Sequence, residues 1–220
     1  MVTKQENVYL FVPNVIGYVR ILAGIGAFYY SRNCGLFWLL YFVSYFLDCI
    51  DGYAARLFGQ ATRFGQMLDM VTDRCCSACL FTVLAGLYPA HEFTFNMLLA
   101  LDIASHYARV YSQLLAGISS HKNVSDKEVW LLQMYYGSQK VLFTFCLFNE
   151  SFFVILYVLA FSDTQSPHFA ANVRWIFAPI CWYVCAPIMV LKQACNVLQL
   201  MSACGKIVAY DVDVRSRSAK

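Results

Sequence analysis

Six runs of more than 20 mainly apolar residues fill most of this 220-residue chain, near 9–30, 35–58, 64–88, 93–117, 134–161 and 173–201. About 20 such residues span a bilayer as a helix. Only helices and closed barrels satisfy every backbone group in lipid, and barrel strands alternate with a period of two. That alternation is absent, so the expected fold is an all-α integral membrane protein with six transmembrane helices. Composition agrees: 60% of residues are hydrophobic and 13% are charged, against about 25% charged in soluble domains. A disordered chain and an ordinary water-soluble fold are both excluded. The formal net charge of +3 gives no large basic surface for nucleic acid.

Lys and Arg collect in cytoplasmic loops. With the N-terminus in the cytosol, Arg56, Arg63, Lys122, Lys127, Lys206, Arg215, Arg217 and Lys220 fall on that side, and only Arg32 and Arg174 on the other. Both termini are therefore expected to be cytosolic. The first run starts close to Met1 and follows Lys4 and Glu6, so no cleaved leader is expected, nor a lipidation or retention motif. One domain, 1–201, is expected to carry the spans, with 202–220 as a cytosolic polar tail, partly disordered. No internal repeat suggests a repeat-built transporter. The 10 cysteines lie mostly in apolar runs and read as small packing residues. Cys75, Cys76 and Cys79 lack a His or second Cys pair at zinc-ligand spacing. The sequons at Asn123 and Asn149 fall in a cytosolic loop and inside the fifth run, out of reach of glycosylation.

Four acids stand out. Asp48, Asp51, Asp69 and Asp73 lie in or beside two predicted spans. A carboxylate at membrane depth costs at least about 2.5 kcal/mol, so it implies a partner or a function. Pairing with Arg56, Arg63 or Arg74 is the bland explanation. Spacing favours another. Asp48 and Asp51 are i, i+3, and Asp69 and Asp73 are i, i+4, so each pair shares a helix face. The short turn 58–61 brings the two helix ends to similar depth. Four converging carboxylates need cations, and hard oxygen ligands favour Mg²⁺ or Mn²⁺. Two ions held this way form the clamp used in phosphoryl transfer. Arg56 and Arg63 suit a diphosphate. Gly52, Ala54, Ala55 and Gly65 leave room for a bulky group or for close helix packing.

Residues 48–73 read D-C-I-D-G-Y-A-A-R-L-F-G-Q-A-T-R-F-G-Q-M-L-D-M-V-T-D. This stretch resembles the signature of the CDP-alcohol phosphatidyltransferase family, D-x2-D-G-x2-A-R-x8-G-x3-D-x3-D, at every fixed position. The resemblance implies the family's six-helix architecture. It also implies that Asp48, Asp51, Asp69 and Asp73 ligate divalent metal, and that Asp73 accepts the proton of the attacking alcohol. Gly52, Arg56 and Thr62 would contact the CDP part of CDP-diacylglycerol, with Ala55 where bulk would block the nucleotide. Further stretches, Val12–Arg20, Gln60–Arg74, Leu101–His106 and Ser120–Lys122, are similar to the members that use myo-inositol. The implied reaction gives phosphatidylinositol and CMP at the cytosolic membrane interface. The same resemblance implies a homodimer in the endoplasmic reticulum membrane.

Candidates for the acceptor pocket lie further along the chain. Asp102, His106 and Arg109 share one face of the fourth run, and His106 and Arg109 are the candidate inositol contacts, against a polar seam between helices. Gln139 and Lys140 are similar candidates. Asn14 and Arg20 either face the nucleotide or anchor the interface, as Tyr29, Tyr30 and Trp175 would. Asn149 and Glu150 are a candidate buried pair or dimer contact, and His168 a solvated loop residue. Glycerol 3-phosphate or serine remains an alternative acceptor, with Arg20, Arg109 and Lys140 as spare cations. A divalent-cation transporter and a non-catalytic scaffold are the alternatives from other classes.

Overall fold

The computed structural model describes residues 7–118, 130–162 and 167–218, and these contain helices and turns with no strand. Ser120–Lys122, Lys127, the Asn123 sequon, Lys4, Glu6 and Lys220 lie outside the described residues. The helices are α1 (Val12–Tyr29), α2 (Cys34–Leu57), α3 (Arg63–Leu87), α4 (Glu92–Ile118), α5 (Trp130–Gly137), α6 (Gln139–Ser162), α7 (Pro167–Pro179) and α8 (Ala186–Ser218). The chain divides into two compact units, Met1–Val83 and Leu84–Lys220.

In the first unit α1 packs along α2. Phe28, Phe37 and Tyr41 form a ring cluster with centroids 5.2–5.9 Å apart, and Ala27, Phe37, Tyr41 and Ala54 are buried. Local signals set the helix ends. Pro13 sits in the first turn of α1, where its missing N–H costs nothing. The Asn33 side chain caps α2 by accepting from the Leu36 N–H at 3.1 Å. α2 closes with Gly59 at φ +64°. The Gly59 and Gln60 N–H groups reach back to the Arg56 and Ala55 carbonyls at 3.4 and 2.9 Å. This is the Schellman pattern, which needs a left-handed residue. Thr62 then caps α3, its Oγ1 accepting from the Gly65 N–H at 3.0 Å. Two acid-bearing helices are thus joined by a turn whose both ends are chemically specified.

In the second unit α4 and α6 both pack on α8. The buried face of α8 is polar: Lys192, Asn196 and Gln199 are buried, whereas Val190, Val197 and Met201 are exposed. A lipid-facing surface reverses the usual pattern, and buried polar groups must then be paired. They are. Lys192 Nζ donates to Asn196 Oδ1 at 2.6 Å, Asn196 Nδ2 to Gln193 Oε1 at 3.1 Å, and Gln193 Nε2 to Asn149 Oδ1 at 3.0 Å. Asn149 therefore pairs with α8, and the chain carries it as a cross-helix bond of α6. Leu132, Tyr135, Phe145 and Cys195 form a buried apolar cluster beside this seam.

Five helical segments are long and apolar enough to cross a bilayer, 12–29, 34–57, 63–87, 139–162 and 170–218, which makes this a multi-pass membrane protein. The remaining expected span, α4, has 27 residues, but it carries Asp102, His106 and Arg109 and does not reach the same hydropathy. Three further details differ from expectation. The fifth run is split at Ser138 into α5 and α6. Gly137 weakens the first helix and Ser138 heads the second, its carbonyl accepting from the Leu142 N–H at 3.0 Å. The last run holds a π-helical turn at Ile180–Cys185. Pro187 has no N–H to continue the ladder, and the Ala186 N–H instead reaches Cys181 O, five residues back. Finally, the stretch past residue 201, expected to be partly disordered, continues α8 as helix to Ser218. Tyr29, Tyr30 and Trp175 are exposed, as interface anchors require, and His168 is exposed too. None of the ten cysteines is bridged, and Cys181, Cys185 and Cys195 are buried.

Candidate active site

The four acids meet on one residue, Arg20 of α1, which is 3% exposed. Its Nη1 donates to Asp51 Oδ2 at 2.6 Å and to Asp69 Oδ1 at 2.8 Å. Its Nη2 lies 2.5 Å from Asp48 Oδ1 and 2.8 Å from Asp73 Oδ1. The partner is therefore neither Arg56 nor Arg63. Arg74 contributes one long contact, 3.8 Å to Asp73 Oδ2. Arg20 is not in the acid-bearing stretch, and neither alternative stated for it, nucleotide contact or interfacial anchor, includes these four carboxylate partners. The available signal was its position mid-span, where a charge demands a partner.

Asp48, Asp51 and Asp69 each offer an oxygen within 4.8 Å of the other two, close enough to share a metal ion. Asp73 is outside that triad, and its side chain is 39% exposed. Four carboxyl groups around one guanidinium, with Arg74 distant, hold more potential negative charge than these cations offset. Hard divalent cations fit such an all-oxygen set.

A cavity of about 210 Å³ opens beside the acids. Asp51, Gly52, Ala55, Arg56, Thr62 and Asp69 line it, so all three expected nucleotide contacts share one space with two acids. A Cβ on Gly52 would meet only Arg56 Nη1, at 3.7 Å, so no protein atom requires glycine there. At Gly65 the reason is packing, since a Cβ would stand 2.9 Å from Asn14 Oδ1. Asn14 is buried, and its Nδ2 donates to the Val8 carbonyl at 2.6 Å. It lines the cavity as well, as does Gln60, whose Oε1 accepts from the Val12 N–H at 3.0 Å. Gln60 was missed by sequence reasoning; its one signal is its place in the capped turn.

In the second unit His106 and Arg109 separate. His106 Nδ1 lies 2.8 Å from the Asp102 carbonyl and 3.6 Å from its Oδ1, a bond within α4. Arg109 lines a different cavity of about 150 Å³ with Ser112, Gln113, Gln199, Ser202 and Lys206. The Arg109 guanidinium stacks 3.6 Å from the Tyr136 ring centroid. Tyr136 Oη donates to Gln199 Oε1, and Gln199 Nε2 donates to the Ser105 carbonyl at 2.9 Å.

A family model described as CDP-alcohol phosphatidyltransferase matches residues 10–207. The chain belongs to the CDP-alcohol phosphatidyltransferase family. Relatives named CDP-diacylglycerol–inositol 3-phosphatidyltransferase align along nearly its whole length. That of Schizosaccharomyces pombe is 42% identical, covering 99% of this chain and 96% of its own. That of Homo sapiens is 41% identical, over 97% and 98%. That of Saccharomyces cerevisiae is 38% identical, over 98% and 93%. No solved structure matches. As a CDP-alcohol phosphatidyltransferase the chain is an enzyme of a metal-dependent family, so transporter and scaffold readings of the acids fall away. The family's signature residues all lie in the first unit, around Arg20 and the cavity beside it.

Proposed function

We propose that this phosphatidyltransferase moves the phosphatidyl group of CDP-diacylglycerol to myo-inositol, giving phosphatidylinositol and CMP. The observation that carries the reading is the single cavity shared by Asp51, Asp69, Gly52, Arg56 and Thr62, in a chain about 40% identical to enzymes named for that reaction. Asp48, Asp51 and Asp69, with Asp73, would hold Mg²⁺ or Mn²⁺, two ions by the carboxylate count. When bound, the ions would offset charge on the diphosphate and the departing CMP. Arg56 presents a guanidinium to the diphosphate, a bidentate match for phosphate oxygens. Gly52 lets the nucleotide approach the α2 backbone. Asp73 takes the proton of the inositol hydroxyl as that oxygen attacks the phosphorus bearing diacylglycerol and the bond to CMP breaks. Its place outside the acid triad suits a base.

The Arg109 cavity matches the chemistry of a polyol, with hydroxyl, amide and cationic donors on several sides. His106, bonded within its own helix, is the weaker of the two candidates. Arg20 is engaged by four carboxylates, which leaves it unsuited to a phosphorylated acceptor such as glycerol 3-phosphate. Arg109→Ala should raise KM for myo-inositol about tenfold, the worth of one lost charged hydrogen bond, with KM for CDP-diacylglycerol unchanged. Equal KM for inositol removes Arg109 from the acceptor site. We also assign six spans, with α4 as the sixth, cytosolic termini, residence in the endoplasmic reticulum and a homodimer.

The deciding experiment is CMP release by purified protein in CDP-diacylglycerol micelles, with Mg²⁺, Mn²⁺ or chelator. Release that requires both metal and myo-inositol supports the reading. Release driven by glycerol 3-phosphate or serine instead keeps the family and overturns the acceptor.

A further inference from the structure

Arg20 has no part in the reaction as written above, yet the most polar interior of the first unit is built on it. Its bonds are crossed. Nη1 bridges Asp51 of α2 to Asp69 of α3, and Nη2 bridges Asp48 of α2 to Asp73 of α3. One side chain from α1 therefore ties two pairs of acids, each pair drawn from both helices. Its own backbone is held as well. Ser44 Oγ of α2 donates to the Arg20 carbonyl at 3.0 Å. Gly17 and Gly24, on either side along α1, approach α3 so closely that Cβ atoms there would stand 2.9 Å from Leu68 Cδ2 and 3.2 Å from Cys76 Sγ.

Guanidinium is a planar fork with donors in fixed directions. A carboxylate has two oxygens and about four lone-pair sites. A bond to one oxygen fixes the rotation of the group and still leaves capacity for a cation. The contacts with Asp48, Asp51, Asp69 and Asp73 each involve one oxygen of the acid. An ammonium would carry the same charge but could not divide it over two bridging nitrogens.

We propose that Arg20 is the positioning residue of the acid cluster: its fork sets the rotation of all four carboxylates and holds them in register as ion ligands, without competing with the ions for them. The proposal rests on the reading of these acids as metal ligands. The test uses the full-length protein in detergent and Mn²⁺ alone as the probe, with bound and free ion separated by electron paramagnetic resonance. Thermal unfolding is followed in parallel. Arg20→Lys keeps the charge and loses the fork. It should unfold near the wild-type temperature and bind Mn²⁺ about 10–100-fold more weakly, as loss of a ligand-orienting partner does. Equal or tighter binding by Arg20→Lys overturns the proposal and makes Arg20 a competitor. Should Arg20→Lys fail to fold, wild-type protein labelled with ¹⁵N-arginine decides. Slowly exchanging Nη–H signals that persist at saturating Mg²⁺ support positioning, and their loss overturns it. Failure of the underlying reading looks different, since wild type itself would then bind no Mn²⁺.

Discussion

Gly52 and Gly65 are both small residues of the signature stretch, and their surroundings separate them. A Cβ on Gly52 meets nothing closer than Arg56 Nη1 at 3.7 Å, within the cavity wall. Gly52→Ala should therefore fold with equal or slightly higher thermal stability, since Ala suits a helix interior better than Gly, while KM for CDP-diacylglycerol rises about tenfold, roughly 1.4 kcal/mol. A Cβ on Gly65 would press on Asn14 Oδ1 at 2.9 Å. Gly65→Ala should lose about 1–3 kcal/mol of stability by overpacking, which detergent unfolding curves would read. Asp73 is the third residue whose surroundings matter. Asp73→Asn should lower kcat about 10²–10⁴-fold, the usual worth of a general base, and still bind Mn²⁺ through Asp48, Asp51 and Asp69. Turnover close to wild type would exclude the base role.

The turn between α2 and α3 is where an element's end decides the site. Gly59 at φ +64° lets the chain fold back through two capping bonds, and Thr62 restarts the helix. A β-branched residue in that left-handed position is strained by roughly 1–2 kcal/mol. Gly59→Val should lower the unfolding temperature and also weaken Mn²⁺ binding, because Asp51 and Asp69 sit on either side of the turn; Gly59→Asn should be milder. Much of this was readable beforehand. Paired acids at i, i+3 and i, i+4 and a short turn carry their own geometry, and the apolar runs give the helices. The rest depends on distant partners. Arg20 is 28 residues before Asp48, and periodicity within one helix says nothing of which neighbour will receive its side chain. The same holds for Lys192, Asn196 and Gln199, whose spacing of i, i+4, i+7 marks a face but not what it meets. The break at Ser138 and the π turn before Pro187 are local ladder failures inside runs of uniform hydropathy, so a hydropathy reading passes over them.

For the whole molecule, the charge bias of the loops predicts that both ends of the chain face the cytosol. A protease site placed after Lys220 should be cut in sealed microsomes from outside, without detergent; cleavage only after permeabilisation would invert the assigned orientation. The apolar exposed face of α8, over a buried side that is hydrogen-bonded, predicts that detergent choice matters more for its exposed side chains than for its polar seam. One further consequence follows from α8. Its 33 residues make a rod of about 50 Å, against roughly 30 Å of hydrocarbon. The stretch from Lys206 to Ser218 accounts for about 20 Å of that length. A fluorescent reporter fused behind it would be carried on a stiff mast, tumbling with the enzyme, and its anisotropy would report the rotation of the whole protein in the bilayer.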